Sequence, residues 1–137
     1  MKTAPLPANR SMPPSTVIPV LAYPDLREAV DWLCRAFAFT ERLRIADHRS
    51  QLVFEGGWLV VTGPPAVGPG RVMVRVADAD RHREQAERCG ARIVNPPTDY
   101  PYGERQYTAE DPGGHLWTFS QTIADADPAA WGGILLE

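Results

Sequence analysis

Apolar residues along the chain fall into two alternating periods. VIPVLA (17–22) is a continuous apolar run of strand length, closed by Tyr23-Pro24. Leu26, Ala29, Val30, Leu33 and Phe37 then recur at the spacing of one helical stripe. Asp25, with Glu28 three residues on, makes a capping-box-like start to that helix. Arg27, Asp31 and Arg35 fall off the stripe and are expected in water. TERLRIA (40–46), SQLVFE (50–55) and WLVVTG (58–63) predict three strands, with Gly56-Gly57 turning into the third. GPPAVGPG (63–70), with three Pro and three Gly, ends regular structure and predicts a hinge.

The order then repeats. RVMVRV (71–76) predicts a strand, Asp78 opens a second helix, and Gly90 closes it as a left-handed cap just after Cys89. ARIVNPP (91–97) predicts a strand broken by Pro96-Pro97. ERQYTAED (104–111) and HLWTFSQ (115–121) predict two more, joined by an Asp-Pro-Gly-Gly turn. The helix starts lie 53 residues apart, Asp25 to Asp78, and the last strands 57 apart, Gly57 to Gly114. Strand, helix and three strands occurring twice predict an α+β fold: two βαβββ modules forming a cupped, mixed, eight-stranded sheet with helices outside. Residues 1–16, with Pro5, Pro7, Pro13 and Pro14 and neither period, read as a flexible Pro-rich arm. A single domain over 17–121 is expected, with halves 17–63 and 71–121 and a hinge at 64–70. The tail 122–137 holds one short helical turn that starts at Asp127-Pro128 and ends at Trp131.

Composition narrows the function. At 137 residues the chain buries enough surface to fold without a metal or disulfide. Lys+Arg 14 against Asp+Glu 17 leaves a net charge of -3, which gives no general attraction to nucleic acid. No apolar run is long enough to cross a bilayer, so neither nucleic acid nor membrane is an expected partner. The opening MKTAPLPANRSMPPST lacks the apolar centre of a secretory signal, and Cys34 and Cys89 stand alone. Two free thiols in a reducing cytoplasm are expected.

The double βαβββ order resembles the vicinal oxygen chelate superfamily, which includes glyoxalase I, the extradiol dioxygenases and the bleomycin-resistance proteins. More specifically, YPYGERQYTAEDPGGHLWTFSQ (100–121) is similar to the tyrosine-glycine, aspartate-proline-glycine, tryptophan ending of the single-domain glyoxalase/bleomycin-resistance-like members. The resemblance implies a homodimer, with cups completed within or between chains. In metal-dependent members it also implies one divalent cation held by four side chains, two on first strands and two on last strands. Carried over by register, these become Ile18 and Arg71, seven residues ahead of each helix-opening Asp, with Thr118 and its repeat mate Val61. Ile, Val and Arg are not ligands for such a cation, and Thr is a poor one. A member lacking the metal ligands is therefore expected, with no cofactor.

Strand alternation places Ile18, Val20, Arg42, Arg44, Gln51, Val53, Leu59 and Val61 of the first half inside the cup. From the second half it places Arg71, Met73, Arg75, Gln106, Thr108, Leu116, Thr118 and Ser120 there. Leu43, Ile45, Leu52, Phe54, Val72, Val74, Val76, Tyr107 and Phe119 turn toward the helices. Such a mixed lining is that of a small-molecule pocket. The ligand-binding set expected from it is Val61, Arg71, Met73, Gln106, Thr108, Thr118 and Ser120, with Tyr102 closing over from a Pro-flanked loop. Arg71, if desolvated, needs an acceptor in Glu55, Glu104 or a ligand oxygen. No catalytic residue is expected: His115 falls on the helix-packed face, His82 on a buried helical stripe and His48 in a connection, and both cysteines read as inert. Trp58 and Trp117 are expected in the core.

These residues predict a non-catalytic protein that sequesters a small organic molecule, as the resemblance to bleomycin-resistance proteins implies. One alternative is an enzyme of the same superfamily, either metal-independent with Arg71 clamping an oxyanion, or a metal enzyme in a different register. Another is an interaction module whose cup is filled by its own side chains or by the N-terminal arm. The inward arginines favour a neutral or anionic, partly aromatic ligand.

Overall fold

Asp25 and Asp78 open the two helices as the capping pattern requires. Each carboxylate accepts a hydrogen bond from the backbone N–H three residues on, Glu28 at 3.1 Å and Arg81 at 3.0 Å. The computed structural model describes residues 7–66 and 68–135. Residues 1–6 of the expected arm, Val67 of the expected hinge and 136–137 of the tail lie outside the described residues. The first half runs β1 (Val20–Ala22), α1 (Leu26–Phe37), β2 (Thr40–Ile45), β3 (Arg49–Phe54) and β4 (Gly57–Thr62). The second runs β5 (Arg71–Arg75), α2 (Ala79–Arg88), β6 (Arg92–Tyr100), β7 (Glu104–Glu110) and β8 (Leu116–Thr122). A single 3-10 turn follows at Pro128–Trp131.

The eight strands divide into two four-stranded sheets, ordered β1-β4-β3-β2 and β5-β8-β7-β6. In each, the first strand pairs parallel to the last, and the other pairs are antiparallel. The fold is α+β, two βαβββ modules.

Two local features depart from the strand expectations. The ladder between β2 and β3 shifts register between Glu41 and Leu43, a bulge at Arg42. From there on every side chain of β2 changes face: Arg44, expected in the cup, pairs with Ser50 on the helix side and bonds Glu41 at 2.8 Å. Leu43 and Ile45 turn the other way. In the second half, β6 is not broken at Pro96-Pro97 but continues to Tyr100. A register shift between Asn95 and Thr98 leaves both prolines out of the pairing with β7, so in this edge strand their missing N–H groups cost no ladder hydrogen bond.

The halves share one core. Phe37, at the end of α1, packs against Trp117 at 5.0 Å and Phe119 at 4.8 Å on β8, and Trp32 Nε1 donates to the Cys89 carbonyl at 2.7 Å. The Asp-Pro-Gly-Gly turn supplies a second tie. Asp111, 4% exposed, accepts on Oδ2 from Tyr23 OH at 2.5 Å and Trp117 Nε1 at 2.9 Å. On Oδ1 it accepts from the backbone N–H groups of Gly113 and His115. A buried carboxylate with four donors is fully compensated. Gly113 is required here because a Cβ would strike the Tyr23 ring. His115 is 1% exposed, and its Nδ1 accepts from Gly70 N–H at 2.7 Å while Nε2–H donates to the Ala22 carbonyl at 2.6 Å. Both ring nitrogens are satisfied by main chain from the two halves, as befits a structural histidine.

Candidate functional site

The strand β5 alternates cleanly: Arg71, Met73 and Arg75 are exposed, whereas Val72 and Val74 are half-buried against the helices. Pairing sets Leu116, Thr118 and Ser120 of β8 beside them, and Gln106 and Thr108 of β7 beyond. A hydrogen-bonded chain crosses this face. Tyr102 OH donates to Gln106 Oε1 at 3.1 Å, Gln106 Nε2 to Ser120 Oγ at 2.9 Å, and Ser120 Oγ to Glu104 Oε1 at 2.7 Å. Thr108 and Thr118 bond each other at 3.0 Å. The hydrogen bonds from Ser120 and Thr122 hold the Glu104 carboxyl below the usual range. At the edge, Tyr102 stacks on Tyr100 at 5.4 Å, and Trp131 from the tail meets it edge-on at 5.4 Å.

The structure thus brings Arg71, Met73, Gln106, Thr108, Thr118 and Ser120 onto one face of the second sheet, with Tyr102 at its margin. Val61 is not among them. It pairs with Ser50 next to the Leu52–Leu59 pair, is 0% exposed, and lies in the core beneath α1. The parity of β4 is one residue off the alternation expected from the sequence: Leu59 and Val61 face the helices while Trp58 and Val60 face the cup. Trp58, expected in the core, is half-buried under the Arg42 guanidinium, 5.6 Å from the ring centre. Alternation puts Arg42 on this face, as expected, and no pattern in the sequence marks the bulge that turns the residues after it. Glu104, expected from the sequence only as an acceptor for Arg71, anchors the hydrogen-bonded chain instead.

The concave face of the first sheet is not bare. Gln51, 3% exposed, donates from Nε2 to the Ser11 carbonyl at 2.8 Å, and Arg42 Nη1 donates to the Arg10 carbonyl at 3.0 Å. Pro13 is buried. Residues 10–13 of the Pro-rich arm are seated here because two donors on the sheet meet successive main-chain acceptors.

The positions at which metal-dependent relatives hold a cation do not fit one. With Val61 replaced by its inward neighbour Val60, the set is Ile18, Val60, Arg71 and Thr118, which offers one weak oxygen and a permanent positive charge. Among the described residues no three His, Cys, Asp or Glu side chains converge. No helix among them is long and apolar enough to cross a membrane.

Comparison with known proteins places this geometry. No curated protein matches the chain. Among solved structures, TioX from Micromonospora sp. ML1 is 37% identical, with a TM-score of 0.70 over 80% of this chain and 99% of that one. A glyoxalase/bleomycin resistance protein/dioxygenase from Nocardioides is 18% identical, with a TM-score of 0.68 over 90% of each chain. A lactoylglutathione lyase from Agrobacterium tumefaciens is 18% identical, with a TM-score of 0.68 over 88% of this chain and 99% of that one. A family model matches residues 16–119, spanning both βαβββ modules, and the chain belongs to the Glyoxalase/Bleomycin resistance protein/Dioxygenase superfamily.

Proposed function

We propose that the protein binds a small organic molecule over the open face of the second sheet and does not convert it. The observation that carries this reading is the exchange of a chelating set for Arg71 and Thr118 beside an intact polar face. Binding needs only complementary surface, whereas the metal-assisted reactions of relatives need a Lewis acid that these side chains do not hold. Arg71 supplies a donor fork for a ligand oxygen, Met73 an adaptable apolar contact, and the Tyr102–Gln106–Ser120 chain further donors and acceptors. Met73 is 63% exposed, and in this reading a second copy of the chain closes the face over a bound molecule. Sequestration of a harmful compound in the cytoplasm is the corresponding role.

The test is a thermal-shift screen of small organic molecules, followed by mass spectrometry of the recovered hit. The expected result is an unaltered ligand. Arg71→Ala and Thr118→Val should each weaken binding about tenfold with the melting temperature unchanged, since both side chains are at least partly exposed. A hit recovered as a converted product, whether of different mass or an isomer separated by chromatography, would overturn the reading in favour of an enzyme.

A further inference from the structure

The seam between the two sheets is open on one side of β4. Strand β1 is three residues long and pairs only with Val60–Thr62, so Gly57–Leu59 have no strand beside them there. A cavity of about 320 Å³ fills that gap between β4 and β5. Its inner walls are apolar: Phe39, Phe54 and Leu59 from the first half, with Val72 and Val74 from the second. The Phe39 and Phe54 rings lie 5.9 Å apart, centre to centre. On the concave side the rim is formed by Trp58 and Arg75. Glu55 stands at the hairpin end of the same opening.

The geometry points to this seam as an anchoring site for a flat aromatic molecule carrying an oxygen acceptor. This rests on the reading of the protein as a small-molecule binder and adds where the apolar part of the ligand goes. The volume sits at the small end of ligand pockets, and three aromatic side chains flank it. Arg75 spends one of its five N–H donors on Thr122 Oγ1 at 2.9 Å, which fixes the guanidinium and leaves donors for a ligand oxygen. Arg42, seated over Trp58, adds positive charge on the same side. Glu104 faces Arg75 from β7 and offsets part of its charge, but its carboxylate accepts from Ser120 and Thr122 and forms no ion pair with Arg75, so the remaining N–H groups of the guanidinium stay open to a ligand oxygen. Glu55, exposed in the turn, lies at the far end. The cavity is complete within one chain, whereas the open face of the second sheet is not.

Two fluorescent probes that differ only by a sulfonate separate the apolar and polar parts: N-phenyl-1-naphthylamine and 8-anilinonaphthalene-1-sulfonate. Titrated against the full chain, both are expected to bind one to one. Val74→Trp, which fills the cavity, should abolish both. If that variant does not fold, Val74→Met should weaken both at least threefold. Arg75→Gln should weaken the sulfonate about tenfold and the neutral probe less than twofold. No binding of either probe to the wild-type chain, binding unchanged in the folded Val74 variants, or equal effects of Arg75→Gln on both would each overturn the proposal. The two readings fail separately. A screening hit lost in Arg71→Ala but indifferent to Val74→Trp removes the seam site alone, while probes bound at the seam with every hit chemically converted remove the non-catalytic role alone.

Discussion

Among single residues, His82 makes the clearest demand on its surroundings. It projects from α2 against the Phe119 ring, 4.0 Å between centres, and its Nδ1 meets the Tyr107 hydroxyl. Its Nε2 is buried with no partner among the described residues. Burial favours the neutral imidazole and lowers its pKa from 6.5 to about 4. The unfolded chain therefore binds a proton that the folded chain refuses as pH falls through 6.5, so stability is full above that value and declines below it. The expected loss by pH 4 is about 2 kcal/mol, discounted for the partial exposure of the ring. Denaturant titrations at pH 7, 5.5 and 4.5 should show it, and His82→Gln should flatten the trend. Glu41, held at about 2 by hydrogen bonds from Arg44 and Arg27, stabilises the fold fully above about 4.5 and loses that contribution as pH falls from there toward 2. His115 was legible from alternation alone, because β8 keeps strict parity from its turn onward. The burial of Asp111 was not, since its four donors come from the turn, from Trp117 on β8 and from Tyr23, 88 residues away.

Among elements, the helices and β5 could be read directly, because caps and periods are local. Faces were readable only where a strand ran without interruption. The bulge at Arg42 and the parity of β4 depend on how neighbouring ladders close, which adjacent residues do not encode. That is why the second-sheet face was assembled from sequence while Val61, Leu59 and Arg44 were turned the wrong way. The arm is the other element that could not be read, since main-chain carbonyls carry no side-chain pattern. Its seating has a direct consequence for proteolysis. The Arg10–Ser11 bond, whose two flanking carbonyls are held by Arg42 and Gln51, should be cut by trypsin at least tenfold more slowly in the folded chain than in a peptide of residues 7–16. Gln51→Ala, which releases one hydrogen bond of about 1 kcal/mol, should speed the cut several-fold. Equal rates in chain and peptide would show that the arm is not held.

For the whole molecule, the repeat at offsets of 53 and 57 residues was enough to give the architecture. It could not reveal the seam, because a gap between sheets arises from what β1 fails to cover. Nor could it show that the two halves share one core. Phe37 from one half lies among the aromatic rings of the other, and His115 bridges Gly70 and the Ala22 carbonyl across the boundary. A chain severed in the linker between Gly63 and Arg71 should therefore behave as a split protein. Fragments 1–66 and 67–137 are each expected to lack cooperative melting by circular dichroism, and to regain one transition when mixed. The two modules share one order of elements, but the aromatic rings and the histidine that join them bind each to the other as its scaffold.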